Sequence, residues 1–235
     1  MAYLRFLSGI KNISRSHFIS LDYFQERLQD IYEIDVVHRA NDFLISDGVL
    51  ADSLLGQPKS FPSKEKLLIS EHAEGIDLSL YISADVISHI NNAHPVELIT
   101  KGKYSEFCLI LEGVSHFLYL VWNAGHNRQV TLFEMELQAE IDKFILLSSF
   151  CDDESDMVLA SRISGWLFEK HTYNDMLTDD ELGRYEQASY YAGKYCMGLQ
   201  QQYRLSYSNK NLLNELRRFY RFSRIDKLRF INRLN

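Results

Sequence analysis

The hydrophobic pattern is strongest in residues 104–150, where it predicts two long antiparallel helices joined by a short turn. The first helix, 105–124, is apolar around most of its circumference, which is typical of a helix with neighbours on several sides. Gly125 suits the left-handed position after a helix end, and Thr131 with Glu134 forms a capping box that begins the second helix. We therefore expect a central helical hairpin around which the other segments pack.

Gly113 interrupts the otherwise bulky side chains of the first predicted helix. A glycine inside a helix costs about 1 kcal/mol relative to alanine, so its presence indicates that another segment passes close to the backbone at this point. We expect that segment to be a second helix that crosses the first.

The pattern before the hairpin is mixed. Apolar residues at helical spacing predict two short helices within 1–33, and 34–55 is interpreted as short strands followed by one or two helical turns. Two prolines in 56–64 predict a mobile loop. Alternating apolar and polar residues at 66–83 predict an antiparallel β-ribbon, which needs support from the helices or from an earlier strand because two strands alone are marginal. A short helix follows and ends before Pro95.

The chain after Pro95 contains no proline, which favours uninterrupted helices. Beyond the hairpin, the pattern predicts helices at about 153–171 and 178–203, and a capping box begins the second of these. Basic helices follow toward the C terminus, with a new helix start near Ser223.

Together these elements predict a mainly α fold of the α+β type. It is an irregular helical bundle around a central antiparallel helical hairpin, with a small antiparallel β-ribbon in the N-terminal half. We expect a single domain over 1–235, with a mixed helix and β-ribbon subregion at 1–95 and a helical bundle at 104–235. A chain of this length that is 46% hydrophobic can bury a sufficient core without disulfides or metals.

Cysteine usage and hydropathy indicate the compartment. Cys108, Cys151 and Cys196 are odd in number and lie in helical patterns, so we interpret them as small core residues in a reducing environment without disulfides. No run of apolar residues free of charge or strong polarity is long enough to predict a transmembrane segment, and the N terminus lacks a secretory signal pattern. We expect a cytoplasmic protein. The basic, serine-rich residues 1–20 also fit a transit peptide, but an ordinary first helix is the favoured interpretation.

Named catalytic motifs are missing from the sequence. It contains no GxxxxGK[ST], GxGxxG, HExxH, CxxC or GxSxG. Nucleotide binding through such loops is therefore unsupported, and we expect no cofactor.

The first helix of the hairpin carries a narrow polar stripe. Glu112, His116, Tyr119 and Asn123 follow the spacing i, i+4, i+7, i+11 and so share one face. Structural hydrogen bonding is the favoured interpretation, because buried polar side chains are usually paired for stability.

The same stripe gives the candidate catalytic residues. A carboxylate and an imidazole one turn apart, here Glu112 and His116, can bind a metal or act together in acid–base catalysis. Glu136 or Glu140 of the second helix could complete such a site. Metal binding is the less favoured of the two, because di-iron bundles use Glu-x-x-His on two helices, and here the spacing is longer and occurs once.

Residues 209–235 differ from the remaining chain in charge. They contain eight Lys or Arg against two acidic residues, a net charge of +6, while the other residues carry −13. The candidate partner-binding or nucleic-acid-binding residues are Arg217, Arg218, Arg221, Arg224, Lys227 and Arg229. The favoured interpretation is docking on the acidic body of the same chain; a protein partner, nucleic acid or an anionic membrane are the alternatives.

We therefore predict an intracellular, non-enzymatic protein-interaction or regulatory protein, with a protein partner that the sequence does not identify. The first alternative is a helical enzyme, or a protein that binds a small ligand or metal, with a pocket lined by Glu112, His116 and Tyr119 and completed by Glu140. The second alternative is nucleic-acid binding through the arginine-rich C-terminal helix.

Overall fold

The computed structural model describes residues 20–54, 64–73, 75–90, 104–149, 157–169, 177–203, 205 and 208–234. The predictions for the basic N-terminal segment, for the loop over 56–63, for the helix end before Pro95 and for Cys151 lie outside the described residues. Within them, the chain is mainly helical with a small sheet in its N-terminal half, so the predicted fold class is confirmed.

In the part of the N-terminal half that the structure describes, there are three helices, a 3-10 turn and three strands. In chain order these are α1 (Leu21–Tyr32), a 3-10 turn (Ala40–Phe43), β1 (Leu44–Ile45), α2 (Gly48–Leu54), β2 (Glu65–His72), β3 (Gly75–Ile82) and α3 (Ala84–Ile90). The sheet order is β1–β3–β2, with β2 antiparallel and β1 parallel to β3. The predicted ribbon is thus confirmed, and an earlier strand supplies the pairing that two strands alone lack.

The C-terminal half is helical in the residues that the structure describes. The helices are α4 (Tyr104–Gly125), α5 (Leu132–Ser149), α6 (Met157–Phe168), α7 (Asp179–Gln202), α8 (Lys210–Tyr220) and α9 (Arg224–Arg233). Helices α4 and α5 form the predicted hairpin. Capping boxes begin α5 and α7 as predicted: Glu134 Oε2 accepts from Thr131 N–H at 3.0 Å, and Thr178 pairs with Glu181 in the same way.

Helix α4 lies at the centre of the core. It contacts α1, α3, α5, β2 and β3. By length and composition alone α4 is apolar enough to cross a membrane, but 78% of its apolar window is buried inside the fold. This is the environment of a core helix. Cys108 on α4 and Cys196 on α7 are buried with free thiols.

The sheet packs directly on α4 at Gly113. A Cβ atom there would lie 2.9 Å from Leu80 Cδ1 and 3.1 Å from Glu65 Cγ, so no larger residue fits without displacing them. The predicted close approach is confirmed, but the expectation of a crossing helix was wrong, because the approaching segment is the β2–β3 ribbon. The contact brings Glu65, the first residue of β2, against the face of α4 that carries Glu112.

Candidate functional site

Three ligand-type side chains converge between β2 and α4. One ligand atom each of Glu65, Glu112 and His116 lies within 4.8 Å of the other two. Glu65 and His116 are buried, at 8% and 5% exposure. With Glu136 of α5, which faces the same imidazole, these residues form what we call the carboxylate–histidine cluster.

The imidazole of His116 lies between two carboxylates. Its Nδ1 is 3.5 Å from Glu65 Oε1, and its Nε2 is 3.5 Å from Glu136 Oε2. Glu136 also faces Arg184 of α7, whose Nε is 3.9 Å from Oε1. Burial lowers the pKa of His116, but Glu136 and Glu65 together outweigh it, so this pKa lies well above its ordinary value. Without a metal, the two carboxylates therefore favour the protonated form of the ring.

Lys143 forms ion pairs on the side of the cluster where Glu112 lies. Its Nζ lies 2.6 Å from Glu112 Oε2 and 2.8 Å from Glu140 Oε1. Burial lowers the pKa of Lys143, but Glu112 and Glu140 outweigh this and raise it well above the ordinary value. Burial raises the pKa of Glu112, and Lys143 with His116 more than reverses the effect. Glu140, a candidate catalytic residue from the sequence, thus serves here as a counter-charge to Lys143.

The balance of charge around the cluster is negative when all groups are ionised. Four carboxylates, Glu65, Glu112, Glu136 and Glu140, face three cations, His116, Lys143 and Arg184. Burial raises the pKa of Glu65, although His116 opposes this shift. When all of these groups are ionised, the described cluster carries one excess negative charge, which would attract a further cation.

The polar stripe on α4 divides into two environments. Glu112 and His116 face the cluster, whereas the ring of Tyr119 contacts Tyr220 at 5.2 Å and Lys227 Nζ at 4.5 Å. Asn123 donates to the Tyr119 carbonyl of its own helix at 2.8 Å. The ring of Tyr119 therefore packs against groups of α8 and α9, while Glu112 and His116 face the cluster.

Tyr119 adjoins a second buried group, which we call the Lys227 network. Its members are Tyr32, Ser115, Gln138, Asp142 and Lys227. Asp142 accepts hydrogen bonds from the Tyr32 hydroxyl, from Ser115 Oγ at 2.5 Å and from Gln138 Nε2 at 2.9 Å, and Lys227 Nζ donates to Gln138 Oε1 at 2.9 Å. The hydrogen bonds link α1, α4, α5 and α9.

Burial disfavours the charged form of both ionisable groups in this network, Asp142 and Lys227. Burial raises the pKa of Asp142 to about 6 despite its hydrogen bonds. It lowers the pKa of Lys227 to about 7, although Glu134 and Asp142 oppose the shift. Lys227 was predicted as a partner-binding residue, but it is 0% exposed and cannot reach a partner from this position.

Two of the C-terminal arginines bind the end of α1. Arg217 Nε donates to the Ile31 carbonyl at 3.0 Å, and Arg221 donates to the carbonyls of Tyr32 and Glu33 at 2.9 Å each. These bonds satisfy carbonyls at the C-terminal end of α1, which a helix leaves without intrahelical partners. They are the contacts of a segment docked on its own chain.

The other candidate arginines are more open. Arg218 and Arg229 have side chains that are 56% and 71% exposed, with Glu215 and Asp226 as intrahelical partners. Arg224 is exposed and lies over the ring of Phe133 at 5.2 Å. An interaction with an acidic partner or with nucleic acid through these three residues stays a prediction.

Arg221→Met is expected to destabilise the fold by about 1–3 kcal/mol, because the carbonyls of Tyr32 and Glu33 lose a charged donor. The measurement is urea unfolding followed by circular dichroism. Arg229→Met is the matched control: its ion pair to Asp226 spans 4.0 Å at the surface, so we expect a change within about 0.5 kcal/mol. Equal effects of the two substitutions would contradict the docking role of Arg221.

The sequence pattern predicts Glu112 and His116 as site residues and Glu136 as a residue that could complete the site. It does not point to Glu65 or Arg184. The glycine at position 113 was the signal that a segment approaches α4, but it does not say which one. Nothing in the local pattern of β2 or α7 marks Glu65 as buried or Arg184 as a neighbour of the cluster.

Comparisons of the chain with protein-family models, curated proteins and solved structures find no match. Its function has therefore to be inferred from the side chains and their geometry.

Proposed function

We propose that the protein binds a divalent transition-metal ion at the carboxylate–histidine cluster, with Glu65, Glu112 and His116 as ligands. The supporting observation is the distance of at most 4.8 Å between any two of their ligand atoms. Two ligand atoms bound to one ion at about 2.1 Å in tetrahedral directions lie about 3.4 Å apart. The 3.5 Å between His116 Nδ1 and Glu65 Oε1 is close to this separation.

The same distance is long for a hydrogen bond. A charge-assisted N–H···O bond between an imidazolium and a carboxylate measures about 2.7–2.9 Å. His116 Nδ1 is 3.5 Å from Glu65 Oε1, so this pair is spaced for a shared ion more than for a tight ion pair.

The donor set selects the kind of ion. One imidazole with two carboxylates suits Zn²⁺, Mn²⁺ or Fe²⁺, whereas an all-oxygen set would suit Mg²⁺ or Ca²⁺. Glu136 would then accept the Nε2–H of His116 and hold the ring so that Nδ1 faces the ion, as in carboxylate–histidine–metal triads. Arg184 would in turn orient Glu136.

Lys143 competes with the ion for Glu112. Its ammonium is 2.6 Å from Glu112 Oε2, so metal binding would weaken this contact and leave Lys143 mainly to Glu140. In the proposed metal site, Lys143 is therefore a cation that competes with the ion for Glu112.

The test is calorimetric titration of tag-free protein with Zn²⁺ and Mn²⁺, with the bound metal counted by elemental analysis. We expect one equivalent to bind, and His116→Ala and Glu112→Gln to abolish stoichiometric binding. His72→Ala is the matched control, because this histidine is exposed and pairs with Asp77 outside the cluster. The absence of stoichiometric binding, or binding that His116→Ala leaves unchanged, would overturn the proposal.

A further inference from the structure

The C-terminal helix α9 is anchored by an ionisable side chain. Of its ten residues, Lys227 and Ile231 have buried side chains. Lys227 Nζ lies 4.5 Å from the ring centre of Tyr119, 5.1 Å from that of Phe219 and 5.8 Å from that of Tyr220. Two neighbouring helices, α4 and α8, thus enclose the amine in a box of three rings.

This box suits an amine better than an ammonium ion. An ammonium group offers three N–H donors, and the hydrogen bond to Gln138 Oε1 at 2.9 Å uses one of them. The ring faces attract a cation, but this gain is smaller than the cost of removing an ammonium from water.

The groups around the box compensate the charge only in part. Tyr119 of α4 and Tyr220 of α8 are neutral, because burial raises the pKa of each phenol. On α5, Glu134 and Asp142 act on Lys227 through space. Asp142 already accepts three hydrogen bonds from other side chains, and Glu134 caps α5 through Thr131.

We propose that α9 is a latch whose release is coupled to the uptake of one proton by Lys227, so that it docks firmly at alkaline pH and loosens toward neutrality. Release would expose the ring box and would free the helix that carries Arg224 and Arg229. The inference is independent of metal binding, because the Lys227 network shares no side chain with the carboxylate–histidine cluster.

The direction of the pH effect follows from proton linkage. The pKa of Lys227 is about 7 when α9 is docked, against an ordinary value of 10.5 in water. The docked state therefore binds fewer protons than the released state, and docking weakens as pH falls from 10.5 to about 7. Well inside this window, the equilibrium constant for docking of α9 changes about tenfold per pH unit. Below the window, Lys227 contributes no further change to this constant.

The test is hydrogen exchange of the whole 235-residue chain at several pH values between about 7 and about 8.5, inside the linkage window. Exchange rates are converted to protection factors, which removes the intrinsic pH dependence. In the unmodified protein we expect the protection of the α9 amides to rise about five- to tenfold per pH unit. The α4 amides exchange through wider unfolding, which also exposes Lys227 and shares this slope, so lower protection of α9 than of α4 identifies release of α9 itself.

Two variants complete the experiment. Lys227→Met cannot take up a proton, so α9 should be well protected with no dependence on pH. Lys227→Arg stays charged at all these pH values, so α9 should be poorly protected, again with no dependence on pH. A flat profile in the unmodified protein, or the same slope in Lys227→Met, would overturn the proposal.

Discussion

Lys143→Met is expected to destabilise the metal-free protein by about 3–5 kcal/mol, because removing one member of a buried ion pair leaves the other charges uncompensated. Lys143 is 8% exposed, and its ammonium is the cation that contacts Glu112 and Glu140 most closely among the described residues. Since the pKa of Lys143 is raised well above its ordinary value, the lost group is a full positive charge at neutral pH.

A divalent ion should restore much of this stability. An ion bound to Glu112 supplies the positive charge that methionine lacks, and it binds the folded state with no competitor for the carboxylate. At a free concentration of 100 times its Kd, a ligand specific for the folded state adds about 2.7 kcal/mol. We therefore expect Zn²⁺ or Mn²⁺ to stabilise Lys143→Met more than the unmodified protein.

The measurement is urea unfolding with and without the ion. Lys143→Arg is the control that keeps the charge, and it should lose less stability than Lys143→Met. A variant with methionine that is as stable as the original would refute the compensating role of Lys143. If stability is lost but the ion does not restore it, the charge argument holds and Glu112 is not a ligand.

The helical hairpin could be predicted because its signals are local. The apolar circumference of α4, the Thr131–Glu134 capping box and the absence of proline all act within a few residues. The structure confirms the two helices and the capping box, since a period of 3.6 residues and a capping geometry depend on the segment itself.

The candidate site could be predicted only in part, because it is completed from distant segments. Glu112 and His116 share a face by spacing, but Glu65 reaches them through the packing of β2 across Gly113. Pairing within the ribbon fixes this position, and no local pattern encodes it. Lys143 and Glu140, three residues apart, resemble a surface ion pair until the surrounding elements cover them.

Lys227 shows most clearly that a pattern of charges in the sequence does not predict which charged side chains are buried. In sequence it belongs to a run of cations that includes Arg224 and Arg229, and it was therefore included among the candidate partner-binding residues. Rings from α4 and α8 enclose it instead. Burial of a lysine is rare enough that a pattern of alternating cations and aromatic residues predicts exposure by default.

Asp142→Ala is expected to cost about 3–5 kcal/mol of stability, because it removes the common acceptor of a buried network and the counter-charge of Lys227. The hydroxyls of Tyr32 and Ser115 would each lose an acceptor in a region without solvent. Asp142→Asn keeps the volume and one carbonyl acceptor, so it should cost less.

A double-mutant cycle with Lys227→Met separates the two contributions. If Asp142 compensates the lysine charge, its removal should cost about 1–3 kcal/mol less in the Lys227→Met background. Purely additive losses would show that hydrogen bonds to Tyr32, Ser115 and Gln138 account for the whole effect.

The pH dependence gives an independent check on Asp142. Its pKa rises from 3.8 in water to about 6 in the fold, so the folded state holds the proton more tightly than the unfolded chain. The stability that the protonated carboxyl contributes is therefore fully present below pH 3.8, and it is lost as the pH rises through about 6. Relative to Asp142→Asn, the unmodified protein should lose stability across this interval and stay constant above it. If the difference in stability between the unmodified protein and Asp142→Asn does not vary with pH, Asp142 titrates alike in the folded and unfolded chains. Burial would then not disfavour its charged form.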